Sequence, residues 1–227
     1  MTGRRCALAI ALVSSAGCGM TRLQTARTVP RGETQRTTGI SLVHAGDRGF
    51  SAGGFPIIPI DFMVRHGFSD HVDMGIRTFF AIGFLGDLKW NLLSPERRTA
   101  LSLSAGFGAA AAEGAVIHVP LTVSVSHAVR PWFTPYAAVG YGTYWIIDYG
   151  EPQPGVSYAP RTGTGDGLLM LHAGVELSTW SGRGVMFEYS VGFPIVDDPG
   201  DLYQFGTNQF FSIAFHTGRG YGPTMSR

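Results

Sequence analysis

The chain has 227 residues, 44% of them apolar and 15% charged, with a formal net charge of +1. So low a share of charge does not suit a water-facing surface, and a near-zero balance with Lys89 as its single lysine leaves no basic footprint for nucleic acid. The 32 glycines and 15 phenylalanines turn the composition away from helix and toward strands edged by aromatic side chains.

Arg4 and Arg5 precede an uncharged run over residues 7–17, the positive-then-apolar pattern of an export signal, so residues 1–17 are read as a leader. The run is too short for a membrane-spanning helix, which needs about 20 apolar residues. Ser15-Ala16-Gly17-Cys18 resembles the lipobox of bacterial lipoproteins, which implies a lipid on Cys18 as the first mature residue. Ser15 stands where that pattern usually has Leu, and ordinary cleavage after Ala16 is the alternative. Cys6 lies in the leader, so Cys18 is the one thiol left to the exported chain. Residues 18–32 have no apolar periodicity and contain Pro30 and Gly32; they read as a lipidated tether to the first strand.

Alternation of apolar and polar residues then runs to residue 217, and 33–217 form one domain, followed by a polar tail over 218–227. The pattern predicts about ten strands: 34–44, 55–66, 71–80, 84–93, 99–111, 116–128, 134–147, 167–179, 184–195 and 207–217. Ile58, Ile60, Phe62 and Val64 oppose Asp61, Met63 and Arg65; Val72, Met74 and Ile76 oppose Asp73 and Arg77. Phe84, Leu88, Trp90 and Leu92 oppose Asp87, Lys89 and Asn91, and the last strand sets Phe211, Ile213 and Phe215 against Ser212, Ala214 and His216. The period alone would also fit a soluble sandwich with its apolar face inward. The polar face decides, being mostly Ser, Thr, Gly and Ala with few charges, as a crowded lumen requires. The expected fold is therefore all-β: a closed antiparallel up-and-down transmembrane β-barrel of about ten strands, with eight to twelve allowed.

Connection lengths agree with this. Tight turns fall around Ser69, Pro95, Pro131 and Gly182, while 45–54, 148–166 and 196–206 are long, as short periplasmic turns and longer external loops would be, although the connections near Gly83 and Gly114, on the side of the long ones, are short. Trp132 and Trp180 lie at tight turns, Trp145 at the base of the longest loop and Trp90 on the lipid face.

Charges on the lumen face suggest a ladder of Asp61, Arg65, Asp73, Arg77, Asp87 and Lys89. A turn centred on Ser69 would set Arg65 opposite Asp73 and Asp61 opposite Arg77; one centred near Ile82 would set Asp87 opposite Arg77 as well. A hairpin turning near Gly182 would place Glu176 beside Glu188, either as an acid–base pair or with each meeting an arginine, Arg77 for example. Ser126 and His127 point to opposite faces, so that Ser cannot use that His as a base. Asp197, Asp198 and Asp201 around Pro199-Gly200 could hold a cation or be ordinary turn residues; no metal site and no cofactor are assigned.

With the Ser15-Ala16-Gly17-Cys18 signal, the tether from Gln24 to Glu33 and the hairpin from Gly67 to Arg77, the chain resembles the small outer-membrane β-barrel proteins of Gram-negative bacteria. The resemblance implies a place in the cell outer membrane with both termini periplasmic, and outer-membrane lipid and lipopolysaccharide as surroundings. It implies an architecture, not an activity. The expected role is structural or interactive, with a narrow conduit or binding barrel as one alternative and a membrane-embedded hydrolase acting on lipid A or peptides as another. No catalytic residues are assigned.

Overall fold

The computed structural model describes residues 22–45, 60–79, 83–111, 114–148, 161–163, 167–179, 182–195 and 208–218. They form β1 (Thr34–Ala45), β2 (Ile60–Gly67), β3 (Val72–Phe79), β4 (Gly83–Asn91), β5 (Thr99–Ala111), β6 (Gly114–His127), β7 (Phe133–Asp148), β8 (Arg161–Gly163), β9 (Gly167–Ser178), β10 (Gly184–Ile195) and β11 (Asn208–Thr217). Ten of these strands close into one antiparallel up-and-down barrel, each paired with its neighbour in sequence. β11 returns to β1 in register from Arg36↔Thr217 to Ala45↔Asn208, which closes the ten-stranded wall. The three residues of β8 pair only with Ile146, Ile147 and Asp148 at the end of β7, so the segment expected to be loop throughout carries a short strand. The strand expected from residue 55 is described from Ile60; the preceding residues, like 197–201 and Trp180, lie outside the described residues.

The barrel is inside out relative to a soluble protein. Along β2, residues alternate between exposed and buried, with Phe62 and Val64 exposed while Asp61 and Arg65 are buried. The same division holds around the ring: Leu88, Trp90, Leu121, Val123, Phe187 and Phe215 face outward, and Lys89, Ser104, Ser124, Glu188 and His216 face inward. Period-two sequence on a closed sheet gives this result directly, since successive side chains must take opposite faces. Among the described residues no helix is long and apolar enough to cross a membrane, which leaves open a crossing by strands.

Residues 22–29, from the segment expected to be a tether, are all buried. They run inside the lumen. A turn over Pro30, Arg31, Gly32 and Glu33 makes the reversal, closed by the Glu33 amide donating to the Pro30 carbonyl at 3.0 Å. Gly32 takes φ 77°, the left-handed value that the third residue of such a turn needs and that glycine adopts without a Cβ penalty. The reversal is stitched to the wall where the Gly32 amide donates to the Gly67 carbonyl (2.8 Å) and the Gly67 amide to the Glu33 carbonyl (3.1 Å).

Register departs from expectation in one consistent way. β2 and β3 pair as Val64↔Ile76 and Arg65↔Gly75, β3 and β4 as Arg77↔Leu85 and Gly75↔Asp87, and β9 and β10 as Glu176↔Met186 and Gly174↔Glu188. Each is shifted by two residues from the register read in the sequence, so Arg65 is not opposite Asp73, nor Asp61 opposite Arg77, nor Asp87 opposite Arg77, nor Glu176 opposite Glu188. A two-residue slip leaves every side chain on its own face, so alternation cannot detect it. The turn decides instead: the Ser69 hydroxyl accepts from the amides of His71 (3.3 Å) and Val72 (3.0 Å), while the Phe68 amide donates to the Val72 carbonyl (2.9 Å). With both native cysteines replaced, Val64→Cys with Ile76→Cys is expected to cross-link on oxidation and Val64→Cys with Met74→Cys is not. Directly opposed residues fall within disulfide reach, while diagonal ones at about 7–8 Å do not. Equal cross-linking of the two pairs, read by gel mobility, would contradict the observed register.

Candidate functional site

Among the described residues, two clusters of buried charge line the lumen and hold the N-terminal segment. The first is built on β2, β3 and β4. The Arg65 guanidinium pairs with Asp73 and also donates to Asp87 Oδ1 and Oδ2 at 2.8 and 2.9 Å. Lys89 Nζ lies 3.3 Å from Asp73 Oδ2, in a pair directly opposed across β3 and β4. Arg65 reaches Asp87 over the intervening strand because Gly75 lies between them in the same row, Arg65↔Gly75↔Asp87. A Cβ at position 75 would collide with the guanidinium and lie 2.7 Å from Asp87 Oδ1.

The second cluster centres on Glu188 of β10. Tyr136 of β7 donates its hydroxyl to Glu188 Oε2 at 2.9 Å, again across a glycine, in the row Tyr136↔Gly174↔Glu188. A Cβ on Gly174 would meet the Tyr136 ring and hydroxyl at 2.5 and 2.6 Å. Ser190 donates to Glu188 Oε1 at 2.8 Å, and His172 Nδ1 lies 2.9 Å from Ser190 Oγ and 3.3 Å from Glu188 Oε1. The expected closeness of Glu176 to Glu188 resolves differently. Glu176 Oε1 lies 3.0 Å from His216 Nε2, so each of the two carboxylates has its own histidine beside it.

The segment over residues 22–29 connects the clusters, chiefly through its main chain. The amides of Arg22 and Leu23 donate to the two oxygens of Glu188 at 2.6 and 2.7 Å. Two successive amides converging on one carboxylate form the concave anion cradle of a backbone nest, and Leu23 adopts φ 46°, the left-handed value such a cradle uses. That conformation costs a leucine roughly 1–2 kcal/mol, an amount comparable with one hydrogen bond to a charged group. Arg77 Nη2 donates to the Arg22 carbonyl at 2.8 Å, so this member of the expected ladder contacts the segment. Lys89 Nζ donates to the carbonyls of Arg27 (2.5 Å) and Thr25 (3.4 Å), and the Val29 amide donates to Asp73 Oδ2 at 2.7 Å.

Side chains add fewer contacts. Arg27 donates from Nη2 to the carbonyls of Arg97 and Arg98 at 2.6 and 2.9 Å, and from Nη1 to that of Pro95 at 3.2 Å, which anchors the segment to the turn between β4 and β5. Leu23 packs with Tyr136, Met186 and Ala214, and Gly39 makes room for it, since a Cβ there would lie 2.6 Å from Leu23 Cδ1. A cavity of about 50 Å³ remains, lined among others by Arg22, Arg77, Asp87, Ser104, Thr122 and His172. It has room for a few waters, which occupy upward of about 10–15 Å³ each, and not for a drug-sized ligand, whose pockets run to about 300–1,000 Å³.

Sequence reasoning did not find the His172–Ser190 contact, although the two are directly opposed in register. With Glu188 they make a serine, a histidine and a carboxylate, but not a relay. A relay places the serine on one ring nitrogen and the acid on the other; here both meet Nδ1, and the serine proton goes to the carboxylate. Ser126 and His127 remain on opposite faces, buried and exposed respectively. Among the described residues no three His, Cys, Asp or Glu side chains converge as a metal site.

Fold and site together define a closed ten-stranded barrel with an apolar exterior and an internal N-terminal plug. No family model and no curated protein matches the chain. Solved structures similar to it include the outer membrane protease OmpT of Escherichia coli, at 9% identity over 87% of this chain and 98% of that one, with a TM-score of 0.43. The N-terminal β-barrel domain of Pseudomonas aeruginosa OprF is similar at 8% identity over 82% and 98%, with a TM-score of 0.37. The attachment invasion locus protein Ail of Yersinia pestis is similar at 9% over 84% and 99%, with a TM-score of 0.35.

Arg65 joins two carboxylates that no solvent layer separates from it. Arg65→Met is expected to cost about 3–5 kcal/mol, the penalty for stranding partners of a buried pair, and less where lumen water reaches Asp87. The check is the temperature at which the folded, fast-migrating band is lost in detergent gel electrophoresis; a midpoint equal to that of the parent would contradict the network.

Proposed function

We propose that this chain is an outer-membrane barrel of a Gram-negative bacterium with a structural or interaction role, closed to solute flow by its own N-terminal segment. The burial of residues 22–29 on the lumen charges carries this reading. An open channel leaves its polar lumen to water, and aqueous pores appear in barrels of about 16–18 strands, whereas small barrels are filled. Ten strands with an inserted segment lie at the filled end. The apolar exterior supports a place in lipid, because a soluble chain does not expose a continuous apolar belt of this extent. Outer-membrane lipid and lipopolysaccharide are then its surroundings.

The hydrolase alternative loses support from the site itself. Glu188 is occupied by two amides, Tyr136 and Ser190, which leaves it acting as a clamp. The conduit alternative requires the segment to leave the lumen. In planar bilayers the parent protein is expected to show no sustained conductance, and Glu188→Ala with Asp73→Ala, which removes acceptors for three amides of the segment, is expected to show intermittent openings. A steady conductance in the parent would overturn the closed reading.

Orientation and lipidation belong to the same proposal: the tight turns and both termini periplasmic, the long segment 148–166 outside the cell, and Cys18 acylated. A tag near Gly155 is expected to stain on intact cells, and labelled palmitate is expected in the parent and not in Cys18→Ser. Staining only after permeabilisation would invert the topology, and continued labelling of the variant would remove the acyl site.

A further inference from the structure

The contacts that hold the N-terminal segment divide sharply by type. Six join its main chain to charged lumen side chains: the amides of Arg22, Leu23 and Val29 to Glu188 and Asp73, and the carbonyls of Arg22, Thr25 and Arg27 to Arg77 and Lys89. These groups recognise features that every peptide possesses. Carboxylates stand where amides arrive and cations stand where carbonyls arrive, so the lumen is matched to a chain running in one direction. Selection by side chain is concentrated at two positions: Leu23 in the pocket of Tyr136, Met186 and Ala214 that Gly39 opens, and Arg27 against three turn carbonyls. Of the other side chains, that of Arg22 reaches Ser104, those of Gln24 and Thr28 make one described hydrogen bond each, and the Thr25 hydroxyl makes none among the described residues.

From this arrangement we propose that the lumen is a peptide-binding site that reads the main chain of a bound segment and selects an apolar residue followed, four positions later, by an arginine, residues 22–29 being its resident ligand. The inference rests on the plugged reading and goes beyond it. A plug needs only to fill space, whereas this site would accept a different peptide of the same pattern in exchange. The position of Glu188 supports this: its neighbours across β9 and β11 are Gly174 and Ser212, so neither adjacent strand offers a cation in its row. The amides of the bound chain add two donors to the Tyr136 and Ser190 hydroxyls that the wall supplies.

The test uses the full chain folded in detergent with Cys6→Ser, Cys18→Ser and Ala26→Cys, the new thiol being at a fully buried position. In this parent the introduced thiol is expected to react with a maleimide far more slowly than in the unfolded chain. Reaction at the unfolded rate would overturn the plugged reading itself. A second chain adds Leu23→Ala and Arg27→Ala to weaken the resident segment, which is favoured by its high effective concentration as a tethered ligand. A fluorescent synthetic peptide matching residues 20–31 is then titrated against it and followed by anisotropy. Binding is expected, and it should persist when the positions matching Gln24, Thr25 and Thr28 are all alanine. A peptide N-methylated at the positions matching Leu23 and Val29 lacks two of the donated amides and is expected to bind at least about tenfold more weakly, since each is a hydrogen bond to a charged group. Glu188→Gln in the barrel should weaken the unmodified peptide in the same sense. Equal binding of the N-methylated peptide, loss of binding with the three alanines, or no peptide binding at all while the introduced thiol of the parent stays protected would each overturn the proposal and leave the plug standing.

Discussion

Charge enclosed in a narrow lumen has to be met within it, and this constraint organises the molecule. Arg65, Asp73, Lys89 and Glu188 are all buried, and an ion held that way is tolerable only with good partners on every side. The wall supplies part of what they need through Arg65–Asp73, Arg65–Asp87 and Lys89–Asp73. The rest comes from the main chain of residues 22–29, whose amides and carbonyls meet Glu188, Asp73, Arg77 and Lys89. Wall and segment therefore complete each other: the segment could not bury its backbone polar groups against an apolar interior, and its two amides add to the Tyr136 and Ser190 hydroxyls that the wall gives Glu188.

Glycine makes these reaches possible. In an antiparallel barrel, side chains of one row on alternate strands are separated by the strand between them, and a side chain there would block contact. At Gly75 and Gly174 the middle strand has none, so Arg65 reaches Asp87 and Tyr136 reaches Glu188. A glycine inside a strand weakens it by loss of packing and by backbone entropy; here the two polar contacts offset that cost. The composition rich in glycine thus has a use in the lumen as well as in turns.

A filled lumen shifts the functional question from passage to occupancy. The cavity beside Arg22 and Arg77 suits water, the serine and histidine near Glu188 serve to hold that carboxylate, and the exterior is an apolar belt. The barrel holds its own N-terminal segment through charges that address the backbone and through the side chains of Leu23 and Arg27.

The sequence by itself determined the strands, their approximate number and the face each side chain takes, because a period of two is a local property and closure only divides inside from outside. It also determined which charges share the lumen, and the turn at Pro30 to Glu33 is visible in the proline and glycine that make it. Register was not legible. Slipping a hairpin by two residues keeps Asp61, Arg65, Asp73, Arg77, Asp87 and Lys89 on the same face, so only turn geometry, such as the Ser69 hydroxyl capping two amides, fixed which of them meet. Glu188 is an inward carboxylate with no lysine or arginine on the strands to either side, but Tyr136, Ser190 and His172 lie beside it in the wall, so it did not announce the plug. The path of residues 22–29 was decided by tertiary structure alone. A segment without periodicity carries no local instruction to enter a barrel, and its affinity for the lumen lies chiefly in backbone groups common to every sequence.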